Sequence, residues 1–309
     1  MEDKSLPLVS IITVNFNQSK VTAELLDSLR KVTWPRLETI VVDNGSHKDP
    51  AAPLKDRYPE VKFITSEENL GFAGGNNLGV RVATGDYLLF LNNDTEVEPG
   101  FLEPLVARLQ SDPGIGMVSP KIRFHHTPDT IQYAGYTPLN PVTIRQHLIG
   151  YREKDKGQHD LPGPTYSIHG AAMMVPRKVI VEVGMMAELF FLYYEEHDWA
   201  ERVKRAGYGM FYEPASLVMH KESISTGKES PLKTYYINRN RFLFARRNIL
   251  GFRKLGAMVY LSLIAFPMGV LTSLAKRRTD LAKSIWKAYI WNFIRFKEIW
   301  SNQYLQNNK

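Results

Sequence analysis

Carboxylates and amides gather at two points of this chain where metal or acid–base chemistry would be feasible. In LFLNNDTEVEPG (89–100) an apolar run stops at Asn92, Asn93 and Asp94. A strand ending in such short polar side chains is a place to hold a metal or a nucleotide, yet one carboxylate is a poor cage for a divalent cation. In EEHD (195–198) three acids open a predicted helix. Glu195 and Asp198, three residues apart, share a helical face, while Glu196 points elsewhere. Acids at that position complement the helix dipole. Crowded carboxylates also raise one another's pKa, which moves one of them closer to the working range of a general base. Two further stretches suit a ligand, the first of them through phosphate. ENLGFAGGNN (68–77) places glycines before a predicted helix, where bare backbone can approach phosphate and free N–H groups can bind it. Its spacing is neither that of a Walker loop nor GxGxxG, so ATP and dinucleotide readings fit poorly. Asp43, in VVDNGS, is suited either to accept a hydrogen bond from a ligand or to cap its own turn.

These clusters need elements to carry them. LVSIITV (8–14), ETIVVD (38–43), VKFIT (61–65) and DYLLFL (86–91) read as strands, with helices predicted over 20–31 and 76–83. Continuous β-branched runs alternating with helices imply a mainly parallel sheet covered on both faces. Ligands of such sheets bind beyond the carboxyl ends of the strands, and 15–17, 43–46 and 92–94 all fall at those ends. From about Gly114 the pattern loosens, with an irregular stretch over 145–164. YSIHGAAMMV (166–175) reads as a strand returning to the sheet, and 195–208 as a helix with a glycine just past its end. Character changes near Thr226, which divides the chain into an α/β domain, 1–225, and a helical region, 226–309.

Taken in order, VSIITVNFNQ, TIVVDNGSHKD, ENLGFAGGNNLGV, GDYLLFLNNDTEV, IHGAAMMVPR, YYEEHDWAERVKRAGY and YYINRNR resemble family 2 glycosyltransferases. The nearest type is the bacterial rhamnosyltransferase-like group acting on cell-surface polysaccharides. The resemblance implies an α/β fold of the GT-A type, a nucleotide-diphospho-sugar donor (dTDP-rhamnose or a UDP-sugar), a divalent metal and inversion at the anomeric carbon. It implies that Asp43 accepts from the pyrimidine ring N–H, with Thr13, Asn15 and Asn17 beside it, and that Asn69, Gly74 and Asn76 also meet the donor. Asp94 matches the metal-bound last position of the family's Asp-x-Asp pattern, and Asn93 the position near ribose or metal. His220, in LVMHKESIS, stands where related transferases carry a metal-binding histidine. Mg²⁺ needs few protein ligands because it keeps waters and takes phosphate oxygens, whereas an imidazole suits Mn²⁺ better. The second acid of EEHD, Glu196, takes the place of the general base, where the family commonly has Asp. Glu195 then binds the acceptor or orients the base, and Asp198 and Trp199 belong to the acceptor side. His169 and Gly170 fall where the family approaches both sugars, though His169 would serve equally as a core histidine. Arg239, in YYINRNR, pairs with the diphosphate or lies on a solvated basic face.

With 309 residues, 44% apolar and 23% charged, the composition is that of an ordinary globular protein. The absence of cysteine excludes disulfides and thiolate zinc sites. MEDKSLPLVS runs straight into a strand and reads as no secretory signal. Net charge is +7, and from Lys233 onward basic residues heavily outnumber acidic ones, with aromatics among them. No zinc-finger spacing, RNP pattern or helix-turn-helix accompanies them, so a membrane surface is expected rather than nucleic acid. LGAMVYLSLIAFPMGVLTSLA (255–275) is uncharged and long enough to span a bilayer, with basic residues at both ends that set no orientation. LAKSIWKAYIWNFIRFKEIW (281–300) suits a helix lying in the interface; both segments would also suit a helix pair packed on the α/β domain. The expectation is an inverting transferase on the cytoplasmic side of the inner membrane, acting on a cell-surface or lipid-linked glycan. A sugar-phosphate nucleotidyltransferase would carry a basic Gly-rich loop after the first strand, where NFNQSK stands instead. A non-catalytic glycan-binding scaffold of the same fold is the other alternative.

Overall fold

The computed structural model describes residues 6–221 and 230–295. The expected boundary at 225/226 and the end of the predicted interfacial helix, 296–300, lie outside the described residues. The first half follows the predicted alternation: β1 (Val9–Asn15), α1 (Ser19–Leu29), β2 (Leu37–Asn44), β3 (Lys62–Ser66), α2 (Gly71–Val82) and β4 (Tyr87–Leu91). These four strands are parallel, in the order β3-β2-β1-β4, with Asn15 in register beside Asp43. Next come β5 (Thr95–Val97), α3 (Leu102–Ser111), β6 (Ile115–Phe124), β7 (Thr127–Tyr133), β8 (Gly163–Pro164), β9 (Ala172–Pro176), α4 (Arg177–Val183), α5 (Glu195–Arg205) and β10 (Gly209–His220). All ten strands form one sheet. β9 runs antiparallel between β4 and β6, so the sheet is mixed beyond its first four strands.

Side-chain alternation sorts the strands into two cores. Ile11 and Val41 face α1 and α3, while Ile12 and Val42 face α2, α4 and α5. Two boundaries differ from the sequence reading. α2 begins at Gly71 rather than Asn76, because its glycines are a packing surface and not a loop preceding the helix. A Cβ on Gly79 would stand 2.4 Å from Ile12 Cγ2. β9 begins at Ala172 rather than 166, because the Ala172 N–H bonds the His169 carbonyl and closes a turn. That turn leaves His169 and Gly170 at the sheet rim.

The last helices are α6 (Pro231–Asn248), α7 (Gly251–Tyr260), α8 (Phe266–Ala275) and α9 (Thr279–Ile294). A π turn over Leu261–Ala265 joins α7 to α8 just before Pro267, which cannot donate to the preceding turn. Ile144, Ala187 and Phe190 of the α/β part share a core with Phe242, Phe244 and Leu261. α9 lies along α6, with Asn292 Nδ2 donating to the Arg239 carbonyl (3.0 Å) and Arg246 Nη1 to the Asn292 carbonyl (2.5 Å). α6 therefore packs on the α/β part. The opposite face of Gly251–Ala275 is bare: Phe252 is 95% exposed, Leu263 71% and Leu271 65%. By length and composition this helix could cross a membrane.

Candidate active site

A cavity of about 370 Å³ opens at the carboxyl ends of the parallel strands, a size suited to a small-molecule ligand. Asn69 and Asn76 line one side, Asn93, Asp94 and His220 the floor, and His169, Gly170, Glu195 and Glu196 the other side. Eight of the predicted residues do not line it: Thr13, Asn15, Asn17, Asp43, Gly74, Asp198, Trp199 and Arg239.

The floor is set by strand register. β10 pairs antiparallel with β5, so His220 sits opposite Thr95 and beside Asp94. His220 Nδ1 faces Gln132 Oε1 at 2.8 Å, and Nε2 faces Asp94 Oδ1 at 3.1 Å. With the amide oxygen accepting at Nδ1, Nε2 carries the lone pair and meets a carboxylate oxygen. Two acceptors held together in a buried place call for a cation or a proton between them. An imidazole fixed through its other nitrogen is the usual arrangement for a metal ligand. Among the described residues no three His, Cys, Asp or Glu side chains gather to hold a metal ion, here or elsewhere, so Asp94 and His220 would be two ligands and substrate oxygens would have to supply the rest. The donor set fits a divalent ion that is shared with a diphosphate.

The acid side is built on an unusual turn. Phe191, Tyr193 and Tyr194 all have positive φ (63°, 69° and 77°) immediately before Glu195. For bulky residues that costs about 1–3 kcal/mol each and persists only where surroundings enforce it. α6 enforces it here. The Asn240 amide nitrogen lies 2.7–2.9 Å from the carbonyls of Phe190, Leu192 and Tyr193. Arg239 Nη2 donates to the Leu189 and Phe190 carbonyls (2.8 and 2.6 Å) and its guanidinium stacks over Tyr236 and Trp291. Arg239 thus holds the turn from behind and does not face the cavity. Phe191 stacks on Tyr236, and its carbonyl accepts from the Phe72 N–H (2.6 Å). Gly71, at φ +72°, is required at that contact, since a Cβ would meet the Phe191 oxygen at 2.1 Å. The N–H groups of Gly71 and Phe72 are taken by Asn69 Oδ1 and by Phe191, so the start of α2 is not the open phosphate cradle its glycines suggest.

Of the three acids, Asp198 is spent on structure. Fully buried, it accepts from Arg247, Arg202 and Asn248 at 2.8–3.1 Å. Burial alone would raise its pKa, but Arg247 and Arg202 hold the carboxyl below the usual range. Trp199 is a core residue, with its indole N–H on the Gly184 carbonyl and its ring edge-on to Phe90. Glu195 and Glu196 are different: each has a buried Oε2 with no partner, and both line the cavity. Burial first, and then the charge of Glu196, push Glu195 well above the carboxylate range, which favours its protonated form. Glu196 is the more open, at 16% side-chain exposure. Burial lowers His169 to about 3, assisted by His220 and His197. It is neutral, with Nδ1 accepting from the Ala171 N–H.

Beyond the ends of β1 and β2 the polar residues bind one another. Asn15 Nδ2 reaches Asp43 Oδ1 (3.1 Å) and Ser46 Oγ (3.2 Å), and Asp43 Oδ2 accepts from the Ala51 N–H (2.8 Å). Asn17 Oδ1 accepts from the N–H groups of His47, Lys48 and Asp49. Thr13 is buried with a free hydroxyl, and Gly74 lies inside α2. Sequence reasoning missed Phe16, Asn44, Gln132, Tyr136 and Lys233 on the cavity wall. Gln132 follows no motif, and only its strand partner reveals it; Phe16 stood in the quoted NFNQ and offered an aromatic at a strand end.

The family model for glycosyl transferase family 2 matches residues 10–184. A low-salt glycan biosynthesis hexosyltransferase of Haloferax volcanii is 28% identical over 244 residues, spanning 76% of this chain and 74% of its own. An N-acetylglucosaminyl-diphospho-decaprenol L-rhamnosyltransferase of Mycobacterium tuberculosis is 24% identical, over 72% of this chain and 78% of its own. Among solved structures, a Pyrobaculum calidifontis mannosyltransferase in complex with GDP-Man and Mn²⁺ superposes with a TM-score of 0.58 at 17% identity, covering 93% of this chain and 87% of that one. GalNAc-T7 with UDP, GalNAc and Mn²⁺ gives 0.60 at 19%, covering 90% and 56%. The shared architecture is the GT-A fold.

Proposed function

Because this chain belongs to glycosyl transferase family 2, we propose that it moves a sugar, rhamnose in the first instance, from a nucleotide-diphospho-sugar to a hydroxyl of a cell-surface or lipid-linked glycan, with inversion. The observation that carries this reading is the facing pair Asp94 Oδ1 and His220 Nε2 on the same cavity as Glu196, whose buried Oε2 has no partner among the described residues. Asp94 and His220 would hold Mg²⁺ or Mn²⁺, which would neutralise the charge of a departing diphosphate. Asn69, Asn76 and Asn93 offer amides to the donor, and Phe16 offers a ring face to its base. The acceptor hydroxyl lies beside Glu196, with Gly170 leaving space in front of that carboxyl: a Cβ there would stand 3.9 Å from it. As the acceptor oxygen bonds to the anomeric carbon, the bond to the diphosphate breaks on the opposite face and the hydroxyl proton passes to Glu196. Protonated Glu195 donates a hydrogen bond to the acceptor. A single displacement of this kind needs no protein nucleophile.

The lipid-linked acceptor is supported by the bare apolar face of Gly251–Ala275 and by the mycobacterial relative, which is named for a diphospho-decaprenol substrate. Both fit a protein seated on the cytoplasmic side of a membrane. The test is incubation of the full chain with a panel of nucleotide sugars, including dTDP-rhamnose and UDP-hexoses, with and without Mg²⁺ or Mn²⁺. Metal-dependent turnover of one donor is the expected result. No turnover of any donor would leave the protein a scaffold.

A further inference from the structure

Behind the active-site cavity a second one, of about 420 Å³, runs between α6, the α7–α8 helix and α9. Two helix faces form it. Lys233, Ile237 and Arg241 recur every fourth residue on α6, and Met268 and Thr272 keep the same spacing on α8, with Lys276 just past its end. Arg145 adds a fourth cation from the irregular stretch, and Leu281 and Ile285 of α9 add apolar wall. Among the described residues no Asp or Glu lines the cavity. Among the described residues none of the four cations pairs with a carboxylate: Arg241 bonds a neutral carbonyl, that of Thr143, and Lys233 lies over the Tyr193 ring. Cations with no carboxylate partner among the described residues, set against apolar side chains, suit an anion that carries hydrocarbon.

Two continuities orient such a ligand. Lys233 lines both this cavity and the active-site cavity, so an anion held here has its next group directed toward Glu196. At the other end, Met268 belongs both to the cavity wall and to the exposed apolar face, at 61% exposure. A hydrocarbon chain leaving the groove therefore continues along a surface already suited to lipid. We propose that this groove receives the diphosphate and the first isoprene units of a polyprenyl-diphosphate-linked acceptor, with Arg145, Lys233, Arg241 and Lys276 meeting the diphosphate. Guanidinium and ammonium groups bind phosphate strongly, and the apolar wall takes up isoprene by burial. The inference rests on the reading of the protein as a transferase with a lipid-linked acceptor.

The experiment measures binding of farnesyl diphosphate to the full-length protein in EDTA, so that the Asp94–His220 site cannot recruit the diphosphate through a metal. Inorganic diphosphate and farnesol are measured alongside. Farnesyl diphosphate should bind at least about tenfold more tightly than either half, and Arg145→Glu with Lys276→Glu should weaken it by about tenfold or more. Binding of a nucleoside diphosphate with Mn²⁺ by the same double variant serves as the check on folding. Equal affinity for farnesyl and inorganic diphosphate would overturn the proposal. So would displacement of farnesyl diphosphate by phosphatidylglycerol vesicles at equal lipid concentration, which would mark a general anionic-membrane surface. If farnesyl diphosphate fails to bind while sugar is transferred to a soluble acceptor, only the groove falls. If it binds as described and no donor is ever turned over, the transferase reading falls and the groove stands.

Discussion

The donor rim and the acid turn are both polar and both lie at the edge of one sheet, yet they are built in opposite ways. At the donor rim, Asn15, Asp43, Asn17 and Ser46 satisfy one another and the neighbouring backbone. At the acid turn, two carboxylates keep an unpartnered buried oxygen and three bulky residues sit at positive φ. A satisfied network is rigid and largely indifferent to the rest of the protein. Strain and unsatisfied oxygens have to be held in place from outside, and here α6 does it through Arg239 and Asn240. The comparison teaches that self-sufficiency marks scaffolding in this molecule, and dependence marks chemistry. The same contrast divides helix α5: Asp198 is fully paired, whereas Glu195 and Glu196 are not.

The strongest way to break this contrast is to remove the groups assigned to chemistry. Glu196→Gln keeps size and hydrogen bonding and cannot take a proton, so kcat should fall by roughly 10²-fold or more while donor affinity stays near wild type. Asp94→Ala and His220→Ala should each lose metal-dependent transfer on a comparable scale, with metal titration of donor binding as the direct readout. Asp43→Asn, at the satisfied rim, should cost far less in kcat than any of the three. If it costs as much, the division between the two regions is wrong.

Asn240→Ala attacks the dependence itself. It leaves the carbonyls of Phe190, Leu192 and Tyr193 without their shared donor, at about 1–3 kcal/mol of stability. Because the turn sets the direction of Glu195 and Glu196, kcat should drop by about tenfold or more even well below the unfolding temperature, with the donor KM little changed. A loss of stability with normal kcat would make Asn240 merely structural.

How much of this was legible in the sequence follows the same line. The parallel strands were, because strands buried on both faces read as unbroken apolar runs. So was the meeting of Asp94 with His220, through the resemblance. The glycines of α2 were misread because close packing on Ile12 and a phosphate loop call for the same residue. Within EEHD, spacing separates the faces of Asp198 and Glu196 but does not tell which acid is paired: the Asp198 partners Arg247 and Asn248 come from another helix, brought near only by the fold. Asn240 and Gln132 were invisible for that reason too. Cutting the chain after Gly251, the obvious test of a membrane tail, would strip α9 from α6 and disturb the turn. Leu263→Lys with Leu271→Lys alters only exposed positions and should reduce cosedimentation with anionic vesicles while leaving donor turnover in detergent intact.

The smallest expected effect is a slope. Burial and Glu196 raise the pKa of Glu195 in the folded protein, whereas in the unfolded chain it titrates near the ordinary value of about 4.3. Below that pH both states carry the proton and the group is neutral toward stability. As pH rises, the unfolded chain releases its proton first, so the native state binds more protons and wild-type stability falls with pH until the folded carboxyl also titrates. Glu195→Gln has no proton to keep, and its stability should lack that decline. Asp198 and His169 pull the other way, losing stability as pH falls, but they are common to both proteins and cancel in the difference. Urea midpoints measured at about pH 5 and about pH 8 should therefore show the variant gaining on wild type at the higher pH. A parallel pair of curves would mean that Glu195 is already ionised in the native state. A hundredfold loss of kcat in this variant, with Glu196→Gln active, would exchange the two roles.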